Sequence, residues 1–244
     1  MKYDEKLKNK YLYKKGLNLF KILYFTYQYF KSKKNLKKSY SNWGVDMMAD
    51  HIFRDKKIGF FIDVGCHHPF LNNNTYQLYK RGWTGINVDL DFNSIEMFNF
   101  FRPKDTNIQS AISNSSEEKE LYFFHNRSAV NTLSKENGAK AKEVKKIYTT
   151  TLNEIIANSK FNKSEIDFIS IDVEGSEIDV LEGLDFNKYK PKLVALELIN
   201  LKIKEFYHQK IDNILNSKLN KFMESKNYKL VNWIHDDLIY VPNI

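Results

Sequence analysis

Four stretches of the chain read as buried strands, and each runs out into a carboxylate: FFIDVG to Asp63, GINVD to Asp89, FISID to Asp172 and LVALE to Glu197. An ionised acid is costly inside an apolar layer, so acids are normally missing from strands covered by helices on both faces. Placed repeatedly where a strand meets its following loop, they mark one edge of a parallel sheet as a shared site. Open α/β sheets bind ligands along that edge. The pattern predicts an α/β enzyme.

The surrounding punctuation agrees. Strands are predicted over 58–64, 85–88, 107–112, 167–172 and 193–198, and helices over 74–80, 93–101 and 176–182, with Gly82, Pro103 and Gly183 at the helix ends. Alternation at this spacing makes βαβ units and a mostly parallel sheet. Thr151, with Glu154 three residues on, has the capping-box spacing and starts a short helix. A long helix is predicted over 209–226, and NYKLVNWI, Asp236-Asp237 and LIYVPN form an antiparallel hairpin. Residues 113–146 break the rhythm with one strand candidate (120–124), a polar loop and a Lys-rich run. An excursion of that length inside a domain is usually functional or disordered.

Charge divides the chain. Residues 1–40 hold 12 Lys against Asp4 and Glu5, a balance of +10, which leaves the other 204 residues at −2 of the chain's +8. The basic character therefore belongs to an N-terminal arm and not to a nucleic-acid-binding core. Within that arm YLYKKGLNLFKILYFTYQYF is dense in aromatics on nearly every side of a helical projection. This suits first a helix packed on the catalytic domain or on a second copy of the chain, and next a peripheral contact with an anionic membrane surface. The expected organisation is an arm and linker over 1–42 and a catalytic domain over 43–244. The single cysteine, Cys66, allows no internal disulfide and fits a reducing compartment. With no apolar run long enough to span a bilayer and no signal-peptide pattern, a cytoplasmic location is expected, with the arm offering contact to the inner membrane surface.

The strongest local motif is FIDVGCHHP, a strand ending in Asp63-x-Gly65 and opening into a helix. Nicotinamide enzymes use G-x-G-x-x-G here to lay a pyrophosphate on the helix N-terminus. This chain has one Gly, bulky His67 and His68, and an acid before the turn. Negative charge favours a ligand with a cationic amine or sulfonium, which points to S-adenosylmethionine over a dinucleotide. Asp89, 24 residues after Gly65 at the end of the second strand, is placed to accept both ribose hydroxyls.

The run DVGCHHPFLNNNTYQLYKRGWTGINVD, then SAIS, TTTLNEII, ISIDVEGSEIDVLEGL, LVALELI and NYKLVNWI…DLIYV resembles the FkbM family of S-adenosylmethionine-dependent methyltransferases over about residues 58–241. The resemblance implies a Rossmann-like class I methyltransferase fold, with a mostly parallel seven-stranded sheet, helices on both faces and an antiparallel C-terminal hairpin. It also implies O-methyl transfer to a saccharide or nucleotide-linked sugar. It carries Asp63, Gly65 and Asp89 over as cofactor contacts, sets Ala111 near the adenine, and matches Asn74 and Thr75 to the family's Asn-Thr, where Asn74 serves the cofactor or caps a helix. Many members have a more open Asn-x-Gly where His67-His68-Pro69 stands here.

A sugar hydroxyl is a poor nucleophile at neutral pH, so a base or a metal must help remove its proton. The candidates at the sheet edge are His67, His68, Asp172, Glu174 and Glu197. Asp172 and Glu174 are expected beside the acceptor, with His68 as an alternative base. Asp172 and Glu197 either accept protons or hold a divalent cation. Arg127 is a candidate grip for the phosphate of a nucleotide-linked sugar, whereas His125, His208 and His235 carry no motif. The competing readings are a nucleotide-dependent oxidoreductase and a non-catalytic, membrane-associated module that binds cofactor without turnover.

Overall fold

The computed structural model describes residues 18–34, 38–125, 130–162, 165–199 and 210–243. The chain divides into two units, Met1–Lys38 and Ser39–Ile244. In the first, helix α1 runs over Asn18–Lys34.

The second unit is built on a sheet. Its elements in chain order are α2 (Val45–Ile52), β1 (Phe60–Val64), α3 (Tyr76–Lys80), β2 (Thr84–Asp89), α4 (Phe92–Phe101), β3 (Thr106–Gln109), β4 (Ala111–Ile112), β5 (Glu118–Phe123), a 3-10 turn (Asn137–Lys140) and β6 (Glu143–Thr150). They continue with α5 (Leu152–Ala157), β7 (Phe168–Ile171), α6 (Glu177–Glu182), α7 (Phe186–Tyr189), β8 (Leu193–Glu197), α8 (Ile211–Leu215), α9 (Lys218–Ser225), β9 (Tyr228–Ile234) and β10 (Asp237–Pro242). Seven strands form the main sheet in the order β3-β2-β1-β7-β8-β10-β9. Pairings are parallel from β3 through β8, and β10 is antiparallel to both β8 and β9. This is the mostly parallel, seven-stranded α/β sheet with an antiparallel C-terminal hairpin.

The core follows from the pleat. Every residue of β1 is buried, and alternate side chains enter different layers. Ile62 and Val64 join a cluster with Leu152 and Ile156 of α5, Val180 and Leu181 of α6, and Leu219 and Met223 of α9. Phe61 joins a second cluster with Val45 and Ala49 of α2, Leu78 of α3 and Trp83. Helices thus cover both faces, which is why FFIDV can be apolar in both registers.

Several expectations need correction. The predicted strand 107–112 is two strands: β3 ends at Gln109, and Ala111–Ile112 pairs with β6 in a separate three-stranded sheet of order β4-β6-β5. The 113–146 excursion holds β5 and the start of β6, so the Lys-rich run ends in a strand whose lysines are exposed or half-buried. The single helix predicted over 209–226 is broken, because Ser217 turns its hydroxyl to the Asn220 N–H at 3.0 Å and caps a new helix, α9. Gln209 itself lies outside the described residues, as do Arg127 and His208. The hairpin turns at His235-Asp236, one residue before the expected position, and Asp237 already belongs to β10.

Candidate active site

The four acid-tipped strands are neighbours. β2, β1, β7 and β8 stand side by side and parallel, so their C-terminal ends deliver Asp89, Gly65, Asp172 and Glu197 to one edge of the sheet. The chain reverses its order across that edge between β1 and β7, the place where a crevice opens in such sheets. A cavity of about 240 Å³ lies there.

One side of the cavity is formed by the β1 and β2 turns. Gly65 adopts φ +77°, and a Cβ at this position would sit 1.7 Å from the Asp172 carbonyl oxygen, so only glycine lets the two strand ends close together. The Asp89 carboxylate is fixed by two backbone donors, His67 N–H to Oδ2 at 2.7 Å and Asp91 N–H to Oδ1 at 2.8 Å. Burial pushes its acidity down, that is, its pKa up, and those two N–H groups oppose the shift. Each oxygen still has a lone pair to offer, the requirement for binding a vicinal diol. Val64, Val88, Ala111 and Ile112 add an apolar wall.

The other side is acidic. Asp172, Glu174 and Glu197 each bring a carboxylate oxygen within 4.8 Å of the others. Asp172 opens to the cavity while protein encloses its remaining sides, and that enclosure pushes its pKa up against a hydrogen bond from Glu197. Glu197 is also raised, by burial first and by Asp172 second, and because their shared hydrogen bond lowers Asp172 and raises Glu197, it is Glu197 that holds the proton. Its buried Oε2 has no hydrogen-bond partner among the described residues. Glu174 is pushed up to about 7, again by burial and then by Asp172. Its backbone is left-handed, φ +58°, and the neighbouring Gly175 is at +101°. Thr132 Oγ1 and Asn137 Nδ2 donate to the Glu174 carbonyl at 2.9 and 2.6 Å, so the 113–146 excursion clamps the turn that presents this acid. Strain held in this way by surrounding contacts is characteristic of functional turns.

The predicted residues separate cleanly on this geometry. Gly65, Asp89, Ala111, Asp172, Glu174 and Glu197 line the cavity, whereas Asp63, Asn74 and His68 are not among its lining. Asp63 precedes Val64 by one residue, so the pleat turns its side chain to the opposite layer. There its Oδ2 accepts hydrogen bonds from Asn73 Nδ2 and Thr75 Oγ1, both at 2.9 Å. Fully buried Arg102 donates to Asn73, Thr75 and Asp105. Burial raises Asp63 to about 6 despite Arg102. Asp63 therefore braces the loop that follows β1 and does not reach the cavity. Asn74 donates to Ser170 Oγ at 3.0 Å, and Thr75, not Asn74, occupies the N-cap of α3. His68 turns Nδ1 to the Phe70 and Leu71 N–H groups, and its neighbour His67 reaches the cavity instead. Sequence reasoning missed Asn42, Asn72, Asn131 and Thr132 in the lining. These are loop amides and a hydroxyl with no periodicity to mark them.

Over residues 63–230 the sequence matches the family described as the methyltransferase FkbM domain. The chain belongs to this family. It is accordingly a methyltransferase dependent on S-adenosylmethionine, with the Rossmann-like fold described above. A TehB-like SAM-dependent methyltransferase from Corynebacterium glutamicum is similar over 89% of this chain and 96% of its own, at 10% identity and a TM-score of 0.42. No curated protein matches the sequence.

The cavity of this FkbM methyltransferase fits the cofactor. Its described lining includes five carboxylates, Asp89, Asp91, Asp172, Glu174 and Glu197, and no lysine or arginine. Such a surface opposes a dinucleotide pyrophosphate and suits a cationic sulfonium and amine. Gly65, Asp89 and Ala111 are the residues that would hold the nucleoside.

Proposed function

We propose that this methyltransferase transfers its methyl group to a hydroxyl of a saccharide, with Glu174 as the general base. The observation that supports this reading is the group of three acids facing the Asp89 side across one cavity, one of them raised to about neutrality. A general base works best when its pKa lies near the working pH, and Glu174 meets that condition.

When bound, S-adenosylmethionine supplies an electrophilic methyl on a cationic sulfur. The chain's own residues do the rest. Asp89 and Gly65 seat the nucleoside. Asp172 and Glu174 receive the acceptor hydroxyl, and the proton passes to a Glu174 carboxylate oxygen. Glu197 stays protonated and donates to Asp172, which holds that carboxylate in position. Holding the attacking oxygen in line supplies most of the acceleration. The acids on the acceptor side favour a neutral or amine-bearing sugar over a nucleotide-linked one, whose diphosphate would meet Asp172 and Glu174.

A second reading has its own observation. The oxygens of Asp172, Glu174 and Glu197 lie close enough together to hold a divalent cation, and the unpartnered Glu197 Oε2 is a natural ligand once its acid loses its proton. A cation there would take over the polarisation of the hydroxyl.

The test is a screen of neutral, amino and nucleotide-linked sugars with labelled methyl donor, run with and without EDTA. Methylation of neutral or amino sugars that survives chelation supports the first reading. Loss on chelation and recovery with magnesium or manganese supports the second. Transfer confined to nucleotide-linked sugars contradicts the proposed acceptor class.

A further inference from the structure

Helix α1, in the first unit, has an unusual surface. Ile22, Leu23, Phe25, Tyr27, Tyr29 and Phe30 each expose more than half of their area. Ile22, Phe25 and Tyr29 follow one another at spacings of three and four and share a row, and Leu23, Tyr27 and Phe30 form the row beside it. Together they make a broad apolar face, with Tyr24 and Gln28, both half-buried, on the opposite side. Large aromatic side chains are not normally left in water along a whole helix.

We propose that α1 is an interfacial helix that docks the enzyme on a bilayer rich in anionic lipid. Charge complementarity decides the occupant. Residues 1–40 carry +10, with Lys14 and Lys15 before the helix and Lys31, Lys33, Lys34, Lys37 and Lys38 at and beyond its end. Tyrosine and phenylalanine between flanks of lysine match a membrane–water boundary, where rings enter the acyl edge and ammonium groups stay with the phosphates. A helix of 17 residues is about 26 Å long and would lie along the surface. Among the described residues no helix is long and apolar enough to cross a bilayer.

The experiment is co-sedimentation of the enzyme, with residues 1–244 intact, with phosphatidylcholine vesicles, with and without phosphatidylglycerol, at low and high salt. Three proteins are compared: the native chain, Phe25→Ser/Phe30→Ser, and Lys33→Glu/Lys34→Glu. Binding to the anionic vesicles only is expected, falling steeply with salt as the charges are screened. Either variant should lose about tenfold or more in vesicle affinity, because each removes one of the two signals that stable anchoring needs. Binding of S-adenosylhomocysteine by all three proteins checks that the catalytic unit is intact, so a vesicle result stands independently of the proposed acceptor. Binding to neutral and anionic vesicles alike, no binding at all, or variants that bind like the native chain would overturn the proposal. So would a dimer seen by light scattering that Phe25→Ser/Phe30→Ser dissolves without any vesicle binding, since α1 would then serve a second copy of the chain.

Discussion

The two sides of the cavity use the same residue type in opposite ways. On the β1–β2 side the Asp89 carboxylate is met by two backbone N–H groups and kept ready to accept hydrogen bonds. On the β7–β8 side Asp172, Glu174 and Glu197 face one another, and burial together with mutual repulsion pushes them toward holding protons. Two backbone donors oppose the effect of burial on Asp89, whereas burial reinforced by like-charged neighbours brings Glu174 to about 7. In the proposed function the first arrangement serves binding and the second serves chemistry.

The sharpest way to break that contrast is Glu174→Gln. Turnover should fall by about 10² to 10⁴-fold, the range for losing a general base, with cofactor affinity kept. Single-turnover kinetics with labelled donor measure the first, and a cofactor titration the second. Gly65→Ala should come next and damage both sides at once, since its Cβ would collide with the Asp172 carbonyl at a positive φ. A loss of about 3 kcal/mol or more in denaturant stability is expected from the combined strain and overpacking.

A smaller effect separates the roles of the acids. As a base, Glu174 must be deprotonated, so kcat/KM should rise with pH through about 7 and then level off. Asp172 is one cause of that raised value, and Asp172→Asn removes its charge. The rising limb should then move to lower pH. A limb that stays in place would show that Asp172 does not act on Glu174.

The layout of this site was legible because buried parallel strands leave short apolar runs, and an acid at the end of each run stands out. FISID and LVALE announced Asp172 and Glu197 in this way. Reading Asp63 as a cavity residue followed from the same signal and failed on the pleat: one residue from the strand end is enough to turn a side chain to the other layer. Strand β6 was hidden because its residues are largely exposed and rich in lysine, leaving no apolar alternation to detect. The clamp from Thr132 and Asn137 onto the Glu174 carbonyl joins residues more than thirty positions apart through polar side chains, and no local pattern encodes such a contact. The break before α9 did carry a signal, the capping serine Ser217, which outweighed the continuing helical periodicity.

The central claim is that the nucleoside half and the acid half of the cavity do separate work. Calorimetric titration of S-adenosylhomocysteine into the native enzyme, Asp89→Ala and Glu174→Gln tests it most directly. The account predicts that Asp89→Ala weakens binding by at least about tenfold, the cost of one charge-assisted hydrogen-bonding site, while Glu174→Gln binds as the native enzyme does. Native affinity in Asp89→Ala, or an equal loss in both variants, would contradict it.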